Sequence, residues 1–130
     1  MPLSQEDQTK YKALYLQTAR AYVKELHDSA TVLMTTPDNA DALVSLHRAA
    51  HSLNSQSNMM EFHHMGSVAS VLEDFFKQTQ DKKTGLSQEV LQSLLDTIDH
   101  MDQNLDSIDK HNQETDLAQD AAKLQALVTA

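Results

Sequence analysis

In this sequence of 130 residues, His51 and Glu73 are the two residues whose types and positions suggest a reactive site. On a helical wheel of about 100° per residue, the apolar face of the segment around His51 is formed by Leu43, Leu46, Ala50 and Leu53. His51 lies about 100° from the centre of that face, at the margin between core and solvent. An imidazole at such a margin is held on one side and accessible on the other, as a nucleophilic histidine must be.

Glu73 occupies the matching margin of the next periodic segment, when Leu72 is taken as the centre of its buried face. In an antiparallel hairpin that turns near Phe62, the two margins face each other and the two side chains are level to within about one helical turn. Glu73 is then expected to accept a hydrogen bond from Nδ1–H of His51, which leaves Nε2 as the basic, exposed nitrogen. Taken alone, His51 could also be an ordinary polar residue at a core margin.

The other histidines predict no metal site. Glu61 and His64 have the Glu-x-x-His spacing of di-iron bundles, but the second pair and the two further inward glutamates of such a site are missing. His47 and His51, spaced four apart, could bind a metal only adventitiously. The sequence contains no glycine-rich phosphate-binding loop. We therefore expect no metal and no cofactor, and no binding of ATP by the chain itself through such a loop.

Composition limits the kind of protein. The chain has no cysteine, which excludes disulfides and thiol catalysis. Its net charge of −9, from 19 acidic and 10 basic residues, disfavours binding to nucleic acid or to anionic lipid. No apolar run is long enough for a membrane span or a signal peptide. We expect a soluble, cytoplasmic domain that does not insert into membranes and is monomeric.

The elements that position His51 and Glu73 are expected to be long helices, because two glycines and two prolines leave little material for turns. Periodic apolar residues predict helices at about residues 4–34, 37–56, 60–80, 87–109 and 115–128, with the most regular heptad at Leu91, Leu94, Ile98, Met101, Leu105 and Ile108. Ser4 and Ser87 are predicted N-caps, and Thr36 is predicted to cap a helix that begins at Pro37. We predict a single all-α domain over residues 1–130: an antiparallel up-down four-helix bundle with an additional fifth, C-terminal helix.

Three segments carry a recognisable pattern: 46–53 (LHRAAHSL), 59–62 (MMEF) and 71–76 (VLEDFF). Together they resemble the histidine phosphotransfer (HPt) domain, and most closely the N-terminal phosphotransfer domain of chemotaxis-type histidine kinases. The resemblance extends over about residues 8–126, through the order and lengths of the five helices. It implies that His51, in the AAHS motif, is the phosphoacceptor and that Glu73, in the LED motif, hydrogen-bonds to it.

The sequence departs from the family pattern at three positions. The lysine that the family usually has three residues after the histidine is Asn54 here, and the glycine that commonly follows is Ser55. A further family glycine, near the start of the third helix, is Glu61. Asn54 and Ser55 are expected to line the phosphoryl site. Lys77, one turn beyond Glu73, either supplies the missing charge or is an ordinary surface lysine.

The resemblance implies a phosphoryl carrier in two-component signalling, of the phosphorelay or chemotaxis type. A histidine kinase catalytic domain would phosphorylate His51 at Nε2, and an aspartate of a response-regulator receiver domain would then take the phosphoryl group. The chain would be a phosphoacceptor and not an enzyme by itself, as a whole protein or as part of a larger histidine kinase. Because the lysine and glycine are replaced, the alternative is a helical docking module that binds a receiver or kinase domain without being phosphorylated.

Overall fold

The chain folds as a bundle of helices in a computed structural model that describes residues 4–82 and 86–129. Its helices are α1 (Gln5–Thr35), α2 (Ala40–Met59), α3 (His63–Lys82), α4 (Gln88–His111) and α5 (Ala118–Thr129). α1 packs against α2 and α4, α2 packs against α3, and α5 packs on α3 and α4. The predicted fold, an all-α up-down bundle with a fifth helix at the C-terminal end, is confirmed. Within the two described ranges, none of the helices has both the length and the apolarity that a membrane span needs.

The core is a single cluster of apolar side chains from all five helices. Its largest fully buried side chains are those of Phe76, Leu26, Leu33, Leu46, Leu53, Met65, Leu72, Leu91, Leu94, Ile98, Met101 and Leu105. All six residues of the α4 heptad are buried, as their spacing predicts. Full burial of one such leucine or phenylalanine stabilises the fold by about 1.5–3 kcal/mol, so the amphipathic faces determine how the helices assemble.

α1 and α4 begin where the sequence predicts. The hydroxyl of Ser4 accepts a hydrogen bond from the Asp7 amide at 3.1 Å, and that of Ser87 accepts one from the Val90 amide at 3.2 Å. Each serine satisfies one of the amides that a helix N-terminus leaves without an intrahelical partner.

The predicted start of α2 is wrong. Thr36 is the C-cap of α1, and its amide donates to the carbonyl of Val32 at 3.0 Å instead of opening a new helix. Pro37 lies in the intervening turn, and α2 begins only at Ala40. The side chain of Asn39 accepts a hydrogen bond from the amide of Ala42 at 2.9 Å and so caps α2. Thr36 closes the preceding helix, so Asn39, an equally good cap, starts the next one.

The turn between α2 and α3 also differs from the prediction, which ended α2 at 56 and began α3 at 60. α2 continues to Met59, and Glu61 then adopts a left-handed backbone with φ of 65°. The amide of Glu61 donates to the carbonyl of Asn58 at 3.0 Å, and that of Phe62 donates to the carbonyl of Ser57 at 2.8 Å. These are the two hydrogen bonds of a Schellman motif, in which the left-handed position is usually glycine.

The first turn of α3 is capped from a distant part of the chain. Oε1 of Glu114, in the connection between α4 and α5, accepts a hydrogen bond from the amide of His64 at 3.1 Å, and Oε2 accepts one from Met65 at 2.9 Å. The fully buried Asn104 of α4 donates to Oε2 of Glu114 at 3.0 Å and accepts from the amide of Thr115 at 2.6 Å. α5 consequently begins at Ala118, later than the predicted 115, because this connection is used to cap α3.

A buried hydrogen bond joins α1 to α2 near the same turn. The hydroxyl of Tyr15 lies 2.8 Å from that of Ser57, and the tyrosine ring packs against Phe62 with 4.9 Å between ring centroids. Burial raises the pKa of Tyr15 to about 12. Tyr15 is therefore neutral at physiological pH and acts here as a structural link that fixes α2, which carries His51, against α1.

Candidate functional site

His51 on α2 and Glu73 on α3 face each other across the contact between the two helices. Nδ1 of His51 lies 2.7 Å from Oε1 of Glu73, so the contact that the helical wheels predict is present. The side chain of His51 is 64% exposed, whereas that of Glu73 is 23% exposed. The imidazole is therefore held from the protein side by a largely covered carboxylate and open to solvent on its other side.

Small residues are buried on both helices of the pair. Ala50 on α2 and Ala69 on α3 are fully buried, as are the larger core residues Leu53 and Leu72. Alanine side chains allow packed helices to approach closely, and α2 and α3 pack against each other.

The contact determines which imidazole nitrogen carries the proton. An ionised carboxylate only accepts hydrogen bonds, so Nδ1 of His51 must be the donor to Glu73. In the neutral ring the lone pair then lies on Nε2. The arrangement therefore presents an unprotonated, oriented nitrogen to solvent, and it stabilises positive charge that develops on the ring when Nε2 forms a bond.

The amides of Asn54 and Asn58 extend this contact along α2. Nδ2 of Asn54 donates to Oε2 of Glu73 at 3.4 Å, so both carboxylate oxygens of Glu73 have donors on α2. Oδ1 of Asn54 accepts a hydrogen bond from Nδ2 of Asn58 at 2.7 Å. Asn58 was not among the predicted site residues. Its signal in the sequence is its spacing, since it lies on the same margin of α2 as His51 two helical turns later.

The other two predicted lining residues are less engaged. Ser55 and Lys77 are both exposed, and within the described ranges the side chain of neither has a hydrogen-bond or ion-pair partner. Lys77 thus carries a charge that is not neutralised by a described neighbour. Its contribution to a phosphoryl site stays a prediction.

Two other histidines of the described ranges, His64 and His100, also lie near a carboxylate. Nδ1 of His64 lies 3.7 Å from Asp116, and Nδ1 of His100 lies 2.8 Å from Oδ1 of Asp120. The hydrogen bond to Asp120 raises the pKa of His100, with smaller contributions from nearby aspartates. Over the residues that the structure describes, no group of three or more histidine, cysteine, aspartate or glutamate side chains is placed to hold a metal ion.

Known proteins share both the sequence pattern and the fold. A family model described as the Hpt domain matches residues 10–104. The chain is 24% identical over 86 residues to the chemotaxis protein CheA of Borreliella burgdorferi, an alignment that covers 66% of this chain and 10% of that protein. The chain thus spans about a tenth of the length of this curated relative.

The same architecture is found in a solved structure, that of the phosphorylated P1 domain of CheA3 in complex with CheY6 from R. sphaeroides. The TM-score is 0.82 at 19% sequence identity, and the match covers 92% of this chain and 96% of that chain. At this identity the similarity demonstrates a shared fold.

Proposed function

The chain belongs to the Hpt domain family, and on this premise we propose that it carries a phosphoryl group on Nε2 of His51 in chemotaxis-type two-component signalling. The observation that supports the proposal most directly is the 2.7 Å contact between Nδ1 of His51 and Oε1 of Glu73. It leaves Nε2 unprotonated in the neutral ring and facing solvent, where the active site of a partner protein has access to it.

The acceptance step is proposed to be nucleophilic attack by His51. The lone pair of Nε2 attacks the terminal phosphorus of ATP held by a histidine kinase catalytic domain, and the N–P bond forms as the P–O bond to ADP breaks. The bonding electrons of that P–O bond leave with ADP. The ring becomes positively charged, and Glu73 stabilises this charge through Nδ1–H, by about 1.5–3 kcal/mol for a hydrogen bond to a charged group.

The donation step is proposed to transfer the group to a response-regulator receiver domain. A carboxylate oxygen of its aspartate attacks phosphorus, the N–P bond breaks, and the electron pair returns to Nε2. The similar P1 domain was crystallised in its phosphorylated form in complex with CheY6, which supports a receiver as the partner here. Since the kinase domain supplies the nucleotide and the receiver supplies the aspartate, this chain acts as phosphoacceptor and not as a complete enzyme.

The phosphoryl group is proposed to lie beside the turn of α2 that follows His51. Asn54 would donate a hydrogen bond to a phosphoryl oxygen, and the small side chain of Ser55 would leave space for a partner. Lys77 is one helical turn from Glu73, and its charge would attract the phosphoryl group of the donor.

The absence of a lysine at position 54 favours one alternative, a docking module that binds a receiver or kinase domain without being phosphorylated.

Incubation of the chain with a chemotaxis-type kinase core and labelled ATP separates the two functions. A phosphohistidine gives label that is lost in acid and retained in base, and we expect it in the unsubstituted chain and in the control His47→Gln. His51→Gln should carry no label and keep its melting temperature, since the side chain is 64% exposed. Receiver binding without label in any chain would establish the docking function instead.

A further inference from the structure

We infer that Asn58 is a positioning residue for phosphoryl transfer, because it holds the side-chain amide of Asn54 with its NH2 group toward Glu73 and the phosphoryl site. The inference rests on the proposed function of His51 and names a residue that completes its site. The three side chains form a continuous chain of contacts, from Asn58 to Asn54 at 2.7 Å and from Asn54 to Glu73 at 3.4 Å.

The two ends of the Asn54 amide have opposite hydrogen-bonding properties, so its orientation matters. Oδ1 only accepts hydrogen bonds, and Nδ2 only donates them. Phosphoryl oxygens and the ionised carboxylate of Glu73 are both acceptors. If the amide were turned around, Oδ1 would face the Glu73 carboxylate with no hydrogen between two electronegative atoms, and it would offer the phosphoryl group no donor.

Asn58 favours the productive orientation of Asn54. Its own Oδ1 faces Gly66 on α3, which leaves its Nδ2 to donate to Oδ1 of Asn54. The oxygen of Asn54 is therefore held at the end of the amide that lies away from Glu73. Nδ2 of Asn54 has two hydrogens. One is directed at Oε2 of Glu73, and the other is available to an oxygen of a phosphoryl group on His51.

A lysine at position 54 would not need such help. The ammonium group carries three donors and no acceptor, so every rotation about its terminal bond presents a donor to the phosphoryl oxygens. An asparagine presents a donor in only one of its two amide orientations. The replacement of lysine by asparagine therefore creates the need for a residue that orients it, and Asn58 is placed to do so.

Gly66 on α3 provides the space that Asn58 occupies. Gly66 is buried, and a Cβ added there would overlap Oδ1 of Asn58 first, with 2.7 Å to Cγ and 3.0 Å to Nδ2 of the same side chain. Glycine in a helix interior costs about 1 kcal/mol relative to alanine. Here the missing side chain lets the Asn58 amide pack against the α3 backbone, within reach of Asn54.

The test is a double-mutant cycle in the full chain, with Asn58→Ala measured in the original background and in the Asn54→Lys background. The readout is the initial rate of acid-labile labelling by a chemotaxis-type kinase core, and in parallel the phosphorylation of His51 by phosphoramidate followed by phosphorus NMR. Loss of one neutral hydrogen bond corresponds to a rate decrease of roughly three- to tenfold, which we expect for Asn58→Ala in the original background. In the Asn54→Lys background Asn58→Ala should change the rate by less than about twofold, because the ammonium needs no orientation.

Two further variants separate positioning from damage to the fold. Alanine is a better helix former than asparagine, so Asn58→Ala should not lower the melting temperature. Gln103→Ala removes an exposed amide from α4, away from the site, and should leave the labelling rate unchanged.

Gly66→Ala should slow labelling in the original background, because its methyl group displaces Asn58. In the Asn58→Ala background the same substitution should have no effect on the rate.

Each outcome decides the inference. Equal labelling rates for the unsubstituted chain and Asn58→Ala would overturn the role of Asn58 while leaving the proposed function intact. An equal slowing in both backgrounds would also overturn it, because Asn58 would then act independently of residue 54. No phosphohistidine on the unsubstituted chain from either donor would overturn the proposed function and this inference together.

Discussion

Glu73 lies 22 positions after His51 in the sequence, yet its Oε1 contacts Nδ1 of the imidazole at 2.7 Å. Its second oxygen contacts Asn54 on the same helix. A carboxylate held by two donors from one helix has little freedom to rotate. For the proposed phosphoryl transfer, a carboxylate already held beside the imidazole would reduce the reorganisation required in the transition state.

Replacement of Glu73 by alanine should slow phosphorylation of His51 by roughly ten- to a hundredfold, because the charge-assisted hydrogen bond to Nδ1 is lost. The loss also frees the ring to place its proton on Nε2, where attack on phosphorus requires a lone pair. The measurement is the initial rate of acid-labile labelling at a fixed kinase concentration. Asp74→Ala is the matched control, since Asp74 is the exposed neighbouring carboxylate. An equal effect of the two substitutions would show that general surface charge, and not the contact with His51, is responsible.

Asn54→Lys should accelerate phosphorylation. A phosphoryl group on nitrogen carries nearly two negative charges at neutral pH, and an ammonium about 4 Å away contributes on the order of 1–4 kcal/mol, depending on solvent screening. Because position 54 is only half-buried, we expect the lower end, an increase of about fivefold. The gain should shrink in added salt. An increase that is independent of ionic strength would exclude this electrostatic explanation.

Glu61→Gly should raise the stability of the fold. Glu61 has a φ of 65°, a left-handed backbone that costs a residue with a Cβ roughly 1–2 kcal/mol and costs glycine little. Part of the gain is offset by the greater freedom of glycine in the unfolded chain, so we expect a net stabilisation of about 0.5–1 kcal/mol. Chemical denaturation monitored by circular dichroism gives the free energy of unfolding.

The matched control is Ser55→Gly, which also restores a glycine of the family pattern but lies within helical backbone of α2. It should destabilise the fold by about 0.5 kcal/mol, in the opposite direction. Equal effects of the two glycines on stability would contradict the assignment of the left-handed conformation to Glu61.

The contact between His100 and Asp120 should make the docking of α5 dependent on pH. The hydrogen bond to Asp120 raises the pKa of His100, so the folded chain binds this proton more tightly than the unfolded chain does. The resulting stabilisation is fully present below the unfolded pKa of about 6.5 and is lost as pH rises through the higher folded value. Because the imidazole is about half exposed, the contribution should be below about 1 kcal/mol.

The measurement is the melting temperature of the unsubstituted chain and of His100→Gln at several pH values from about 5.5 to 8.5, a range that spans the titration of a histidine. The difference between the two should be largest at the acidic end and diminish toward the alkaline end. Hydrogen exchange of the α5 amides should show the same trend. A difference that grows with pH would mean that the neutral imidazole is the form that stabilises the fold.

The central contact could be predicted from the sequence because it depends on helical periodicity and on the short connection between the two helices. The apolar stripes beside His51 and Glu73 determine which face of each helix is buried. The short connection at Phe62 determines that the two residues lie at the same height along the paired helices. The start of α2 was predicted wrongly because Thr36 and Asn39 are both good N-caps. The choice between them depends on where α1 ends.

The start of α3 and the orientation of Asn54 depend on information that periodicity does not contain. Glu61 adopts a left-handed conformation without being glycine, so the usual signal for a helix end is missing. The cap of α3 is Glu114, which is 50 positions away from His64. The amide chain from Asn58 to Glu73 depends on distances between side chains, and only the packed structure supplies those distances.

The cap on α3 has a consequence for where this domain can be cut. The match to the family model ends at residue 104, and a fragment trimmed to that limit would still contain His51 and Glu73. It would lack Glu114, whose carboxylate binds the amides of His64 and Met65, and it would expose the face of α3 that α5 covers. The first turn of the helix that carries Glu73 would then lose the hydrogen-bond acceptor of two backbone amides. We therefore expect that a fragment must extend past residue 114, into α5, to keep Glu73 level with His51.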